Sequence, residues 1–172
     1  MALKASMNLG LSTSLQDAFY KVTPVERPLV KNQIIPDPNW LAGFTSVEGC
    51  FMVRIFKSAE TRLGFAVKLV FIITQHCREE QLMTSLIKYF NCGHVYKNNS
   101  DILDLKVTKF ADLENIIIPF FKKHRILGIK SKDFEDWCLV AEMMKNAKHL
   151  TKEGLEQIKL IKAGMNRGRK LD

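Results

Sequence analysis

Leu41-Ala42-Gly43-Phe44-Thr45-Ser46-Val47-Glu48-Gly49 follows Pro36-Asp37-Pro38-Asn39-Trp40 and runs straight into Cys50-Phe51-Met52-Val53-Arg54-Ile55-Phe56-Lys57. Asp37 is placed to cap a helix whose first turn accommodates Pro38, and Gly49 stands where that helix ends. Gly43 and Val47 share a face, and the missing side chain at Gly43 lets another backbone come close. Glu48 becomes a carboxylate at the C-terminal end of a helix, where the macrodipole disfavours negative charge. The last carbonyls of that helix are short of partners as well. A divalent cation answers both problems, because Mg²⁺ prefers carboxylate and carbonyl oxygen.

Beyond Gly49 the period changes from 3.6 to 2. Phe51, Val53 and Ile55 alternate with Met52, Arg54 and Phe56, as in a strand with one face on a core. Ser58-Ala59-Glu60-Thr61-Arg62 reads as a turn. Phe65, Val67, Leu69, Phe71 and Ile73 then face one way, with Ala66, Lys68, Val70, Ile72 and Thr74 facing the other. A helix from about Glu79 to Phe90 buries Leu82, Leu86, Ile87 and Phe90. Asn91-Cys92-Gly93 breaks it, and 94–97 and 103–108 form a second hairpin around Asn98-Asn99-Ser100-Asp101. A short helix around Ala111–Ile117 follows, then a longer one from Lys132 to Ala147 with Trp137, Val140, Ala141 and Met144 in its core stripe. Thr151 caps a last helix ending near Met165. The order implies an α+β layer, a four-stranded antiparallel sheet with helices on one face.

The totals suit this reading. The chain has 172 residues, 47% hydrophobic and 26% charged, enough for one domain with a real core. Its 26 Lys+Arg against 18 Asp+Glu give a net charge of +8, and the pI is near 9.4, a balance suited to a polyanionic partner. No apolar run approaches the roughly 18 residues of a membrane span, so no membrane partner is expected. Cys50, Cys77, Cys92 and Cys138 lack paired spacing, so no disulfide framework is expected and a reducing compartment is the default. His76-Cys77 and Cys92-Gly93-His94 are close pairs, each short of two further ligands, and no zinc site is expected. Prolines at 24, 28, 36 and 38 mark an irregular, largely extended lead-in.

The 41–49 segment resembles the signature of the LAGLIDADG homing endonucleases. Leu41-Ala42-Gly43 and the closing Glu48-Gly49 carry the resemblance. Phe44 is a mild change, Thr45 and Ser46 depart from the usual apolar and acidic residues, and Val47 replaces a small residue. The element order is also that family's αββαββα core, so the resemblance covers residues 36–172 as a single LAGLIDADG domain with a DNA-binding saddle on its open sheet face. Residues 1–35, from Lys4-Ala5-Ser6-Met7 to Val25-Glu26-Arg27-Pro28, resemble the linker between the halves of single-chain members. By that likeness the chain corresponds to the second half of a larger enzyme, natural or engineered, or to a one-motif homodimeric form.

The resemblance implies a sequence-specific, divalent-metal-dependent endonuclease that cuts double-stranded DNA and leaves 3′ overhangs. Its carboxylates hold metals that activate water and stabilise the leaving oxygen. Glu48 matches the acidic position, with the Val47 carbonyl as a backbone metal ligand. Gln75, beside Thr74, matches a polar residue that orders the attacking water, and an amide both donates and accepts. Lys130, in Leu127-Gly128-Ile129-Lys130-Ser131-Lys132, matches a basic residue near the cleavage centre, with Lys132 able to exchange roles with it. Mg²⁺ is the implied cofactor, and Ca²⁺ is expected to support binding without cleavage.

Base reading belongs to the outward sheet face, which enters the major groove. Alternation assigns to it Met52, Arg54, Phe56, Ala66, Lys68, Val70, Ile72 and Thr74, then His94, Tyr96, Asn98, Asp104, Lys106 and Thr108. Arg54, Lys68 and Lys106 suit guanine, Asn98 adenine, and Asp104 either cytosine or the orienting of a neighbour. Thr74, Tyr96 and Lys132 complete the candidate DNA contacts. Met52, Phe56, Val70 and Ile72 are apolar, and either meet thymine methyls or lie under protein. Lys145, Lys148, Lys152, Lys159, Lys162, Arg167, Arg169 and Lys170 near the C-terminus either hold phosphates or form a solvated tail. One motif supplies one carboxylate, so a second copy is expected across a Leu41, Gly43, Phe44 and Val47 interface, on a palindromic or near-palindromic site. The rival readings are a non-catalytic LAGLIDADG nucleic-acid binder (an RNA maturase or a DNA-binding regulator) and a half-enzyme that needs its N-terminal partner. Relatives in organellar introns suggest a mitochondrial or other organellar setting.

Overall fold

The computed structural model describes residues 12–21, 33–98 and 101–169. The chain separates into two units, Met1–Gln33 and Ile34–Asp172. In the first, helix α1 spans Thr13–Ala18; of the linker-like stretch 1–35, all but 12–21 and 33–35 lies outside the described residues. The second unit is α+β and contains everything discussed below.

Helix α2 (Pro38–Glu48) starts where its cap predicts. The Asp37 carboxylate accepts from the N–H groups of Asn39 (2.7 Å) and Trp40 (3.2 Å), and Pro38 fills a position that needs no donor. Strand β1 (Gly49–Lys57) follows without a connecting residue. The junction explains the glycine. Gly49 has an ordinary extended backbone (φ −81°) and donates to the Thr45 carbonyl, and a Cβ there would collide with the side chain and carbonyl of Thr45. Its role is close approach, not a left-handed turn.

Strand β2 (Phe65–His76) pairs antiparallel with β1, with Gly49 opposite Ile73 and Phe51 opposite Phe71. A 3₁₀ turn (Cys77–Glu79) leads into α3 (Glu80–Phe90), which ends on Asn91 in the left-handed region (φ 52°). Strands β3 (His94–Lys97) and β4 (Ile102–Val107) complete the sheet in the order β1-β2-β4-β3. Odd-numbered Phe51, Val53, Leu69, Phe71, Ile73, Leu103, Leu105 and Val107 are buried under the helices. Phe51 anchors this layer, with ring centroids 5.0 Å from Phe134, 5.3 Å from Trp137, 5.4 Å from Phe71 and 5.8 Å from Phe121.

The next helix is longer than the predicted Ala111–Ile117. α4 comprises Phe110–Asp112, a π-helical turn at Leu113–Ile117, and Ile118–Lys123. Pro119 suggests a stop, but it falls in the first turn of the last segment, where its missing N–H is not needed. Helix α5 (Ile129–Lys145) likewise begins earlier than Lys132, because Gly128, at φ 70° and ψ −160°, turns the chain directly into it. Thr151 caps α6 (Lys152–Ala163) through the Gly154 N–H, and a 3₁₀ turn (Asn166–Gly168) returns the chain to β1.

The outward apolar residues divide. Phe56 is exposed, Met52 and Ile72 are half-buried, and Val70 is only 3% exposed. Cys50 and Met52 border a groove of about 440 Å³ whose other wall is Lys162, Met165, Asn166, Arg167 and Gly168. The start of β1 therefore lies beside the C-terminal segment, and the hairpin turn borders His149 and Leu150, with Lys159 Nζ 5.3 Å from the Phe65 ring centroid.

Candidate cleavage site and nucleic-acid face

Glu48 is exposed on the last residue of α2, and the next residue opens β1. Its carboxylate and the terminal carbonyls of the helix form an all-oxygen donor set, which fits a hard divalent cation. Val47 is 77% exposed. Gln75 is half-buried near the end of β2, two residues beyond the Gly49–Ile73 pair, so the register aligns it with the last turn of α2.

Lys130 and Lys132 stand on the first turn of α5, not in a loop. This end of α5 meets the signature helix. Ser46 Oγ donates to the Ala42 carbonyl (2.8 Å) and accepts from the Leu127 N–H (3.4 Å), while His124 Nδ1 is 3.3 Å from Asn39 Oδ1. Cys50, beside Gly49, senses the same neighbours. Burial pushes its thiol pKa up, the Lys130 charge pulls it down, and Asp133 adds to the rise. Lys130 thus lies within electrostatic reach of the α2–β1 junction. Both charged groups oppose their own helix dipoles, Glu48 at a C-terminus and Lys130 at an N-terminus.

A clasp supports this junction that the linear sequence conceals. Asp133 is 3% exposed; its Oδ1 accepts from the Asn166 N–H (3.0 Å) and from Arg169 Nε (3.0 Å) and Nη2 (2.8 Å). Arg169 Nη2 also reaches Asp136 Oδ2 at 2.6 Å, and these carboxylates raise the guanidinium pKa further. Asn166 Nδ2 donates to the Phe51 carbonyl (3.1 Å). Arg169 is therefore committed to an internal ion pair, which corrects its reading as a phosphate contact or solvated tail residue. Lys170 lies outside the described residues. Asn166, which takes up the left-handed region (φ 52°), and Gly168 are the turn-forming residue types there.

On the outward face, Arg54 and Lys68 are exposed and directly opposite each other across β1 and β2. Among the described residues neither has an ion-pair partner. Like charges in that position repel. Thr74 Oγ1 donates to Asp104 Oδ1 (2.7 Å), Lys106 Nζ is 3.0 Å from Asp104 Oδ2, and the same ammonium lies 5.7 Å from the centroid of exposed Tyr96. Asp104 is 5% exposed, so of its two readings the orienting one fits and direct cytosine contact does not. Asn98 is exposed and its N–H closes the hairpin on the Ile102 carbonyl (2.9 Å).

The interface set also separates. Leu41 is 0% exposed in the chain's own core, which removes it from any contact with a second chain. Gly43 is exposed with open space above it, Val47 projects from the same face, and half-buried Phe44 stacks on Trp40 at 5.1 Å.

Comparison with known proteins gives a consistent set. The family model described as LAGLIDADG endonuclease matches residues 41–141. Among curated proteins, the chain is 42% identical to "Probable intron-encoded endonuclease 3" of Neurospora crassa over 161 residues, 92% of this chain and 30% of that protein. It is 37% identical to "Probable intron-encoded endonuclease 2" of the same organism, covering 90% of this chain and 35% of that protein. The chain therefore spans about a third of the length of these relatives. Among solved structures, the I-SmaMI LAGLIDADG homing endonuclease bound to cleaved DNA aligns with a TM-score of 0.92 at 48% identity, over 98% of this chain and 57% of that one. I-LtrWI bound to target DNA aligns at 0.90 and 43% identity, again over 98% and 57%.

Proposed function

This chain belongs to the LAGLIDADG endonuclease family, and from that premise we propose that it forms half of a metal-dependent unit that cuts double-stranded DNA at a specific site. The observation that carries the proposal is the paired opposition at the α2–β1 junction. A carboxylate and an ammonium each sit at the helix end that disfavours them, beside a cationic, outward sheet face. A hard cation relieves the first and a phosphate relieves the second.

Glu48 and the Val47 carbonyl would hold Mg²⁺, which when bound acidifies water and screens developing charge on a phosphate. Gln75 orients the attacking water through an amide that donates and accepts. Lys130 neutralises a non-bridging phosphate oxygen, and Lys132 holds the neighbouring backbone. Arg54, Lys68 and Lys106 meet base edges and phosphates in the major groove, with Thr74 and Asp104 fixing Lys106, and Tyr96 and Asn98 extending the contact along the second hairpin. Ca²⁺, with the same oxygen preference, supports binding without turnover. I-SmaMI has been seen on uncleaved DNA in the presence of calcium ions, which supports that expectation.

A double-strand cut takes two such junctions. We assign the second to another copy of the chain, meeting across Gly43, Phe44 and Val47 on a near-palindromic site and leaving 3′ overhangs. Its curated relatives are intron-encoded, which supports an organellar setting. No described helix is long and apolar enough to cross a membrane. The test is cleavage of a randomised palindromic duplex library by the purified chain with Mg²⁺ or Ca²⁺, beside Glu48→Gln. Cutting with Mg²⁺ only, lost in Glu48→Gln, supports the reading; specific retention without cutting in Mg²⁺ defeats it. Light scattering with and without DNA tests the pairing, and a mass of one chain in both would exclude the homodimer.

A further inference from the structure

The sequence shows His76-Cys77 as a pair short of further ligands, and the fold supplies a third. His76 is the last residue of β2 and pairs with Ile102, the first of β4. One step further the register brings Cys77 opposite Asp101, and the Cys77 N–H donates to the Asp101 carbonyl at 2.8 Å. One ligand atom from each of His76, Cys77 and Asp101 lies within 4.8 Å of the others. His76 Nδ1 and Cys77 Sγ are 3.6 Å apart. Zinc bonds of about 2.3 Å to sulfur and about 2.0 Å to nitrogen, at a tetrahedral angle, require a ligand separation of about 3.5 Å. His76 Nδ1 now accepts from the Arg78 N–H at 3.3 Å, a long bond that holds the ring beside the thiol and that a cation on this nitrogen would displace.

We propose that His76, Cys77 and Asp101 form a site for a thiophilic divalent cation, zinc being the representative, separate from the hard-cation site at Glu48. The ligand set of imidazole, thiolate and carboxylate is what such a cation takes, whereas Mg²⁺ and Ca²⁺ prefer oxygen alone. Binding exchanges the Cys77 thiol proton for the cation and releases that proton to solvent. Three protein ligands leave a fourth position for water or another donor. The cation joins the end of β2 to the start of β4, next to the Gln75–Leu103 and Thr74–Asp104 pairs. It therefore staples the strand ends that carry Thr74, Gln75 and Asp104, three residues of the proposed site.

The test uses the full chain and does not depend on cleavage. Titration with Co²⁺ is expected to give one equivalent of a thiolate-to-metal charge-transfer band, bleached by Zn²⁺ and unaffected by excess Mg²⁺. The band disappears in Cys77→Ser, weakens in Asp101→Asn and persists in Glu48→Gln, with circular dichroism confirming that each variant folds. Zinc is also expected to protect Cys77 from iodoacetamide. Absence of the band in the folded wild type overturns the proposal, as does its survival in Cys77→Ser, which would assign it to another cysteine.

Discussion

Thr45 shows how a single atom departs from the rest of its helix. Its side chain is 0% exposed and its hydroxyl has no hydrogen-bond partner among the described residues, so it bears a desolvation cost without compensation from them. Thr45→Val keeps the shape against Gly49 and removes the orphan. We expect a gain of about 1 kcal/mol in urea denaturation, and a loss would show that the hydroxyl has a partner in solution. Arg54 and Lys68 present the opposite case, a repulsion kept at the surface. Lys68→Gln should raise folding stability by about 0.5 kcal/mol and yet weaken DNA binding. The slope of log affinity against log salt should flatten by about 0.9. Two changes of the same sign would refute the idea that the pair is strained for the sake of a polyanion. At this scale alternation made most outward residues legible, since parity alone sorts Arg54 and Lys68 from Val53 and Leu69. Leu41 was not legible. Its motif neighbours belong to an external face, but its own direction is inward, and only the packing of α2 on the sheet reveals that.

Among the elements, the C-terminal segment contributes more than its basic composition suggests. Arg169→Ala leaves the Asp133 carboxylate buried with one remaining backbone donor, and should cost about 3 kcal/mol in chemical denaturation. Asp133 shares the first turns of α5 with Lys130, so the same variant should also slow cleavage, while a truly solvated tail residue would change neither. The ion pair escaped the sequence because 36 residues separate its partners and no periodicity links them. The π turn of α4 escaped for a different reason. Proline argues for a helix boundary, and only the widened turn ahead of Pro119 lets the helix continue. The hairpins, by contrast, follow from local alternation and emerged with boundaries within a residue or two of those expected.

For the whole molecule, the buried Cys92 and half-buried Cys138 thiols set an alkaline limit. Burial pushes Cys92 and Cys138 from 9.0 up to about 11, with nearby Asp112 and Glu135 adding to the rise and Lys122 opposing it at Cys138. Well below pH 9 both thiols are neutral whether the chain is folded or not. Between pH 9 and 11 the unfolded chain ionises them first, so the stability they contribute is lost as pH rises through that window. The urea midpoint should fall from pH 8 to pH 10.5, and the fall should shrink in the Cys92→Ala/Cys138→Ala double variant. An equal fall in both would place the alkaline sensitivity elsewhere. The α+β layout itself was legible because each element carries its own period, and the net charge of +8 pointed to the class of partner. What joins distant segments had no such signature.

The margins of the sheet carry a consequence for how this molecule behaves in a crowded solution. β3, at one border, is four residues long and ends in a lysine; β1, at the other, has its Phe51 carbonyl engaged by Asn166. β3 is too short to offer a long ladder to a stray strand, and the Asn166 and Trp137 bonds to the Phe51 and Met52 carbonyls interrupt the one along β1. Self-assembly into extended aggregates is thereby discouraged at the ends of the sheet, without covering the broad surface between them.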